Sequence, residues 1–177
     1  KYPHVPLYLL GESMGGAVVI TAATGWAGAQ RPDVDGIILV APAVWGEQTM
    51  NVFYRTALWV VDHVAPRWQL SGSGLHILPS DNIPMLRAFS RDPLVIKETR
   101  VDTINGLVQL MSEALEAAPQ LKQRTLLLYG ANDQLVPQGP VTEFVQTLPK
   151  GSAGKDMVAY YDKGYHMLLR DLEGAKV

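Results

Sequence analysis

The chain has 177 residues, 47% of them hydrophobic, with 15 Lys and Arg against 17 Asp and Glu for a net charge of −2. That length supports one domain with a sizeable core, and near-neutrality gives no electrostatic reason to expect nucleic acid as a partner. Cysteine is absent, which excludes disulfides and thiolate metal sites without fixing the compartment, and no apolar run approaches the ~20 residues of a membrane span.

Val5 to Leu10 is a short, nearly all-apolar run bounded by Pro6 and Gly11. It predicts a strand buried on both faces, the signature of a parallel sheet. Gly15 to Ala23 is small and apolar and predicts a helix packed closely on that sheet, ended by the glycines from Gly25 to Gly28. Val34 to Ala41 repeats the strand signal and stops at Pro42, and Thr125 to Tyr129 repeats it again before Gly130. About eighty residues separate Pro42 from Thr125, where one crossover helix with its loops needs roughly 25. The excess predicts an insertion. Its content is helical, with apolar residues at helical spacing in Asn51 to Val64, Asn82 to Phe89 and Val101 to Ala118. Prolines punctuate it, and Ser71 to Gly74 reads as a flexible loop. Val141 to Leu148 predicts a short amphipathic helix, Lys150 to Lys155 a glycine-rich turn, and Met157 to Tyr161 a fourth strand. His166 opens a final apolar segment that reads as helix.

Strands and helices in this alternation predict a parallel, helix-covered α/β sheet. Sites in such sheets form beyond the carboxyl ends of the strands. Three polar residues follow three such ends: Ser13 after the first strand, Asp133 after the third and His166 after the fourth. Ser13 sits in Gly11-Glu12-Ser13-Met14-Gly15, a G-x-S-x-G pattern between a strand and a helix. Such a nucleophile elbow holds serine on a sharp turn, and the expectation is that Gly11 and Gly15 remove side chains that would clash there. The turn would aim the backbone N–H of Met14 at a developing oxyanion. Serine needs a base because its hydroxyl is a weak nucleophile. Histidine suits that work, and a carboxylate fixes its tautomer. Asp156 and Asp162 are weaker candidates for that carboxylate, Asp156 because it precedes its strand and Asp162 because it neighbours His166 along one loop. Glu12 lies inside the elbow. His4, His63 and His76 have no ligand pair at helical spacing, so neither metal nor cofactor is expected.

Leu9 to Gly16, Ala41-Pro42-Ala43, Ser90 to Leu94, Tyr129 to Asp133 with Val136-Pro137, and Gly164 to Leu169 together resemble the monoacylglycerol lipase and lysophospholipase branch of the α/β-hydrolase superfamily. That branch more often has histidine at the Glu12 position. The resemblance covers nearly the whole chain. It implies the C-terminal half of an α/β-hydrolase parallel sheet, with residues 1–42 and 123–177 as core and 43–122 as an inserted helical cap. It implies a catalytic triad of Ser13, Asp133 and His166, with Met14 giving one oxyanion N–H. The early strands and a His-Gly loop bearing a second such N–H would precede Lys1. Both ends read as cut, so the expectation is a fragment: poorly soluble and close to inactive alone, with a free strand edge at Val5 to Leu10 open to self-association.

The implied activity is hydrolysis of a carboxylic ester, of monoacylglycerol or lysophospholipid type. The expected partners are a small ester or lipid and, through the cap, a membrane surface; the expected compartment is cytoplasmic. Phe53, Leu58, Trp59, Val60 and Ile104 would either line an acyl pocket or pack the cap on the sheet. An amidase is a sister reading; an epoxide hydrolase is disfavoured because it needs an aspartate where Ser13 stands. A non-catalytic binding protein that kept the three residues is the alternative from another class.

Overall fold

The computed structural model describes residues 5–47, 50–74, 77–149 and 157–177. The turn expected at 150–155 falls outside them, as do His4, His76 and Asp156. The described elements are β1 (Tyr8–Glu12), α1 (Met14–Thr24), β2 (Gly36–Val40), α2 (Val52–Val64), β3 (Gln69–Ser71), α3 (Ile83–Arg91), β4 (Glu98–Arg100), α4 (Val101–Ala117), β5 (Arg124–Gly130), α5 (Gln138–Thr147) and β6 (Met157–Tyr161).

β1, β2, β5 and β6 form one sheet in that order, every pairing parallel. The period of two along each strand sorts the side chains onto two faces. Ile37, Leu39, Leu127 and Tyr129 join the main core, with Ala17 and Ile20 of α1, Leu115 and Ala117 of α4, and Phe144 of α5. Val40 and Leu128 face the other way, into a smaller cluster with Leu168. The three helices expected between β2 and β5 are present as α2, α3 and α4, with the short strands β3 and β4 among them, and the last helix packs inward: Val101, Val108 and Leu115, seven residues apart, are all buried. Side-chain amides explain two helix starts. Asn51 accepts from the N–H of Phe53 at 2.9 Å and Asn82 from that of Met85 at 3.2 Å. Gly25 closes α1 in the left-handed conformation, φ 65°.

Three expectations are corrected. β1 is not buried on both faces: Leu9 packs against the main core, but Tyr8 and Leu10 on the other face are more than half exposed, because among the described residues little covers that face of the strand. Ser71 to Gly74 is not a free loop. Ser71 ends β3, which pairs antiparallel with β4, and Gly72–Gly74 forms a 3-10 turn; strands of three residues are too short to show a period. The apolar end of the chain is not an α-helix but two 3-10 turns, Leu168–Arg170 and Gly174–Lys176. Asp171 breaks between them, with extended backbone (φ −61°, ψ 165°).

The turn after β5 is braced from below. The buried Tyr129 hydroxyl donates to the carbonyl of Val136 at 2.7 Å. Burial pushes this phenol up to about 12, with smaller contributions from Asp133 and Tyr160.

Three substitutions test this packing. A Cβ on Gly16 would lie 2.7 Å from the Cβ of Pro42, so Gly16→Ala should lower stability by about 1–3 kcal/mol. Exposed Gly106 in α4 has open space around it among the described residues, so Gly106→Ala should raise stability by up to about 1 kcal/mol; urea melts of both variants check the contrast. Tyr129→Phe should cost roughly 1–3 kcal/mol at pH 7 by leaving the Val136 carbonyl unpaired. The phenol ionises near 10 when unfolded and near 12 when folded. Its ionisation-linked stability is therefore complete below pH 10 and lost as pH rises toward 12. The gap between parent and Tyr129→Phe should narrow between those pH values, and a gap that widens would contradict the assignment.

Candidate active site

Ser13 links β1 directly to α1. It has φ 54° and ψ −121°, a region that L residues rarely adopt and that costs about 1–3 kcal/mol unless the surroundings impose it. Here they do. The N–H of Ser13 donates to the carbonyl of Val40 at 2.9 Å, and its carbonyl accepts from the N–H groups of Gly16 and Ala43, each at 2.9 Å. The neighbouring turn is strained too, with Ala41 at φ 43°. Gly11 is needed as expected, since a Cβ there would overlap the carbonyl of Gly15. Gly15 is a correction. Among the described residues nothing lies within 4 Å of a Cβ placed on it, and the close approach falls one residue later, where Gly16 meets Pro42. Met14 is the first residue of α1, so its N–H is one of the four that a helix start leaves without an intrahelical partner.

The histidine and the aspartate reach the same end of the sheet through two glycines. A Cβ on Gly130 would overlap the backbone of Gly164, so the chain after β5 and the chain after β6 run in direct contact. Ala131 N–H donates to Tyr161 carbonyl and Asn132 N–H to Gly164 carbonyl, both at 2.9 Å. Asp133 is then fixed by its own turn: its Oδ1 accepts from Leu135 N–H at 2.8 Å and Val136 N–H at 3.0 Å. This leaves Oδ2 for His166 Nδ1, at 2.8 Å, and His166 Nε2 lies 2.8 Å from Ser13 Oγ. The side chains of Asp133 and His166 are 0% and 7% exposed, so water competes little for these bonds. The tautomer with the proton on Nδ1 follows from the acceptor opposite it. That tautomer leaves Nε2 able to take a proton from Ser13 Oγ.

The rival carboxylates do other things. Asp162 contributes its backbone carbonyl, which accepts from the Asn132 amide at 3.5 Å. Glu12 forms an ion pair with Arg170 at 3.7 Å, and its Oε1 is buried without a hydrogen-bond partner among the described residues. Arg170 also lies 6.0 Å above the ring of Phe89. Neither Arg170 nor the residues that anchor its loop carry a motif, and sequence reading missed them. His63 stacks on Trp59 at 4.2 Å, and its Nδ1 lies 2.7 Å from that residue's carbonyl. Among the described residues no group of three or more His, Asp or Glu side chains is placed to hold a metal ion.

The residues expected to line an acyl pocket divide. Leu58 and Trp59 border a cavity of about 550 Å³ between α2 and α4 that also takes in Glu47, Arg55 and Asp62, and none of Ser13, Asp133 or His166 lines it. Phe53 is 79% exposed and Val60 45%. They neither line that cavity nor pack on the sheet; no residue of α2 is buried.

Known proteins share this arrangement of chain. Monoglyceride lipase of Rattus norvegicus is 30% identical over 175 residues, which is 97% of this chain and 54% of the relative. Phospholipase YtpA of Bacillus subtilis is 30% identical over 135 residues, 75% of this chain and 50% of the relative. The chain thus spans about half the length of the curated relatives it matches. The crystal structure of Paleococcus ferrophilus monoacylglycerol lipase superposes with a TM-score of 0.77 at 22% identity, covering 97% of this chain and 64% of that one; at that identity the likeness speaks for the fold. The profile of the family described as serine aminopeptidase, S33 (Hydrolase_4) matches residues 1–173. By that match the chain belongs to this family of α/β hydrolases.

Proposed function

We propose that the protein carrying this chain is a serine hydrolase that cleaves carboxylic esters of monoacylglycerol or lysophospholipid type. The observation that supports this most is the unbroken line Ser13 Oγ, His166, Asp133, with 2.8 Å on each side of the imidazole. In the proposed reaction Ser13 Oγ attacks the ester carbonyl carbon while His166 Nε2 takes the hydroxyl proton. The carbonyl π electrons move onto oxygen, and the N–H of Met14 donates to that oxyanion. The C–O bond to the alcohol then breaks, His166 protonates the leaving alkoxide, and an acyl group remains on Ser13. Water repeats the sequence: His166 takes its proton, the hydroxide adds to the acyl carbon, and the carboxylic acid leaves as Ser13 Oγ regains a proton. Asp133 stays ionised throughout, orienting the ring and stabilising the imidazolium.

The lipid character of the substrate is proposed from the names of the relatives, monoglyceride lipase and phospholipase. The proposed cap is the helical segment between β2 and β5. Phe53, Val60 and Val64 lie along one stripe of α2 (spacings of seven and eleven residues) and are all exposed, which supports a cap that meets a lipid surface.

Two measurements on full-length protein test this reading. Ser13→Ala should lower monoacylglycerol hydrolysis by 10³-fold or more while leaving the thermal midpoint near that of the parent; a Ser13→Ala variant with parental turnover would refute the mechanism. The parent should also release fatty acid from monoacylglycerol or lysophospholipid faster than it cleaves matched amides, and the reverse preference would replace the esterase reading with an amidase.

A further inference from the structure

The loop carrying His166 has no regular secondary structure of its own from Gly164 to Met167. The imidazole must nonetheless stay within hydrogen-bond reach of two partners. What holds the loop is a nearby carboxylate together with a distant part of the chain. The N–H of Tyr165, immediately before His166, donates to Asp171 Oδ2 at 2.8 Å. The N–H of Met167, immediately after it, donates to the carbonyl of Pro79 at 2.8 Å. Asp171 is tied to the same distant segment, because Ser80 Oγ donates to Asp171 Oδ1 at 2.6 Å. Ser80 is fully buried, and its Oγ also accepts from the N–H of Asn82 at 3.2 Å. Two further bonds close the seam: the Asn82 amide donates to the Arg170 carbonyl at 3.0 Å, and Leu172 N–H donates to Asp81 Oδ1 at 2.8 Å. The same segment reaches the aspartate loop, where Leu78 N–H donates to Gln134 Oε1 at 3.0 Å, next to Asp133.

We propose that Asp171 and Ser80 are positioning residues for the active site: through the N–H of Tyr165 they tie the chain just before His166 to the segment 78–82, whose Pro79 carbonyl holds the N–H of Met167 just after it, and so set the place of the imidazole between Ser13 and Asp133. The inference rests on the proposed role of His166 as general base. Both carboxylate oxygens of Asp171 are used, one on the histidine loop and one on Ser80, which suits a strut better than a surface charge. A buried hydroxyl and a carboxylate cost free energy to desolvate, and their bonds offset that cost only while both partners are present. Removing Asp171 therefore strands the Tyr165 N–H and the Ser80 hydroxyl together. The segment 78–82 leads into α3, so the same seam ties the helical insertion to the catalytic histidine.

The test compares Asp171→Ala, Asp171→Asn and Ser80→Ala in full-length protein, by ester turnover and by the downfield proton NMR signal of the His166 ring N–H bound to Asp133. Misplacing a catalytic group by about 1 Å costs up to roughly 10²-fold. Asp171→Ala should lower kcat about 10- to 100-fold with KM little changed, and should shift or abolish the ring signal. In Asp171→Asn the amide oxygen can accept from Tyr165 N–H while its NH2 donates to Ser80 Oγ, so this variant should keep the signal and most of kcat. Ser80→Ala should fall between the two. Parental kcat with an unchanged signal in Asp171→Ala overturns the inference, as does equal loss in the Asn variant, or a rise in KM alone. If Asp171→Ala fails to fold, Ser80→Ala decides by the same readouts. If the parent hydrolyses no ester, the functional reading fails by itself, and the ring signal still decides whether Asp171 places His166.

Discussion

The turn at Ser13 is the constraint on which the rest depends. A serine at φ 54° is strained by itself, and the fold opposes that strain by anchoring its peptide groups on both sides. Val40 supplies the acceptor for the Ser13 N–H from the end of β2, while Gly16 and Ala43 donate to the Ser13 carbonyl. Pro42 packs against the place where a side chain on Gly16 would be. β1, the start of α1 and the loop after β2 are therefore one mechanical unit. Its output is a hydroxyl at the carboxyl end of the sheet with a helix N-terminus next to it.

The other two polar residues arrive by the same device, close approach of backbone to backbone. Gly130 and Gly164 touch, and the chain after β5 donates two backbone hydrogen bonds across that contact to carbonyls at the end of β6 and after it. The carboxylate of Asp133 is fixed by two N–H groups of its own turn before it meets the imidazole. Tyr129 holds that turn from inside the core through Val136. Each polar residue of the site thus has closely packed chain within four residues of it: the Gly16–Pro42 contact after Ser13, buried Tyr129 before Asp133, and buried Leu168 after His166.

Much of this was legible in the sequence because it is local. Apolar runs ended by Gly11, Pro42 and Gly130 marked β1, β2 and β5, and apolar residues at helical spacing marked α2, α3 and α4. The order of Ser13, Asp133 and His166 just past strand ends was enough to nominate all three, and the geometry puts His166 between the other two, 2.8 Å from each. What stayed hidden depends on partners far along the chain. The pattern G-x-S-x-G drew attention to Gly15, but the crowded glycine is Gly16, and Pro42 lies 26 positions away. Nothing near Asp171 in the sequence announces Ser80, its partner across 91 positions. The open face of β1 stayed hidden too: Tyr8 and Leu10 give the strand the composition of one buried on both sides, yet both are more than half exposed.

The central claim is that Ser13 is a nucleophile made reactive by His166. Reacting full-length protein with a fluorophosphonate probe and mapping the adduct by peptide mass spectrometry tests it most directly. The account predicts a single covalent adduct on Ser13 that forms quickly in the parent and is slowed by orders of magnitude in a folded His166→Gln variant. An adduct on another residue, or labelling of Ser13 at the parental rate without the imidazole, would contradict it.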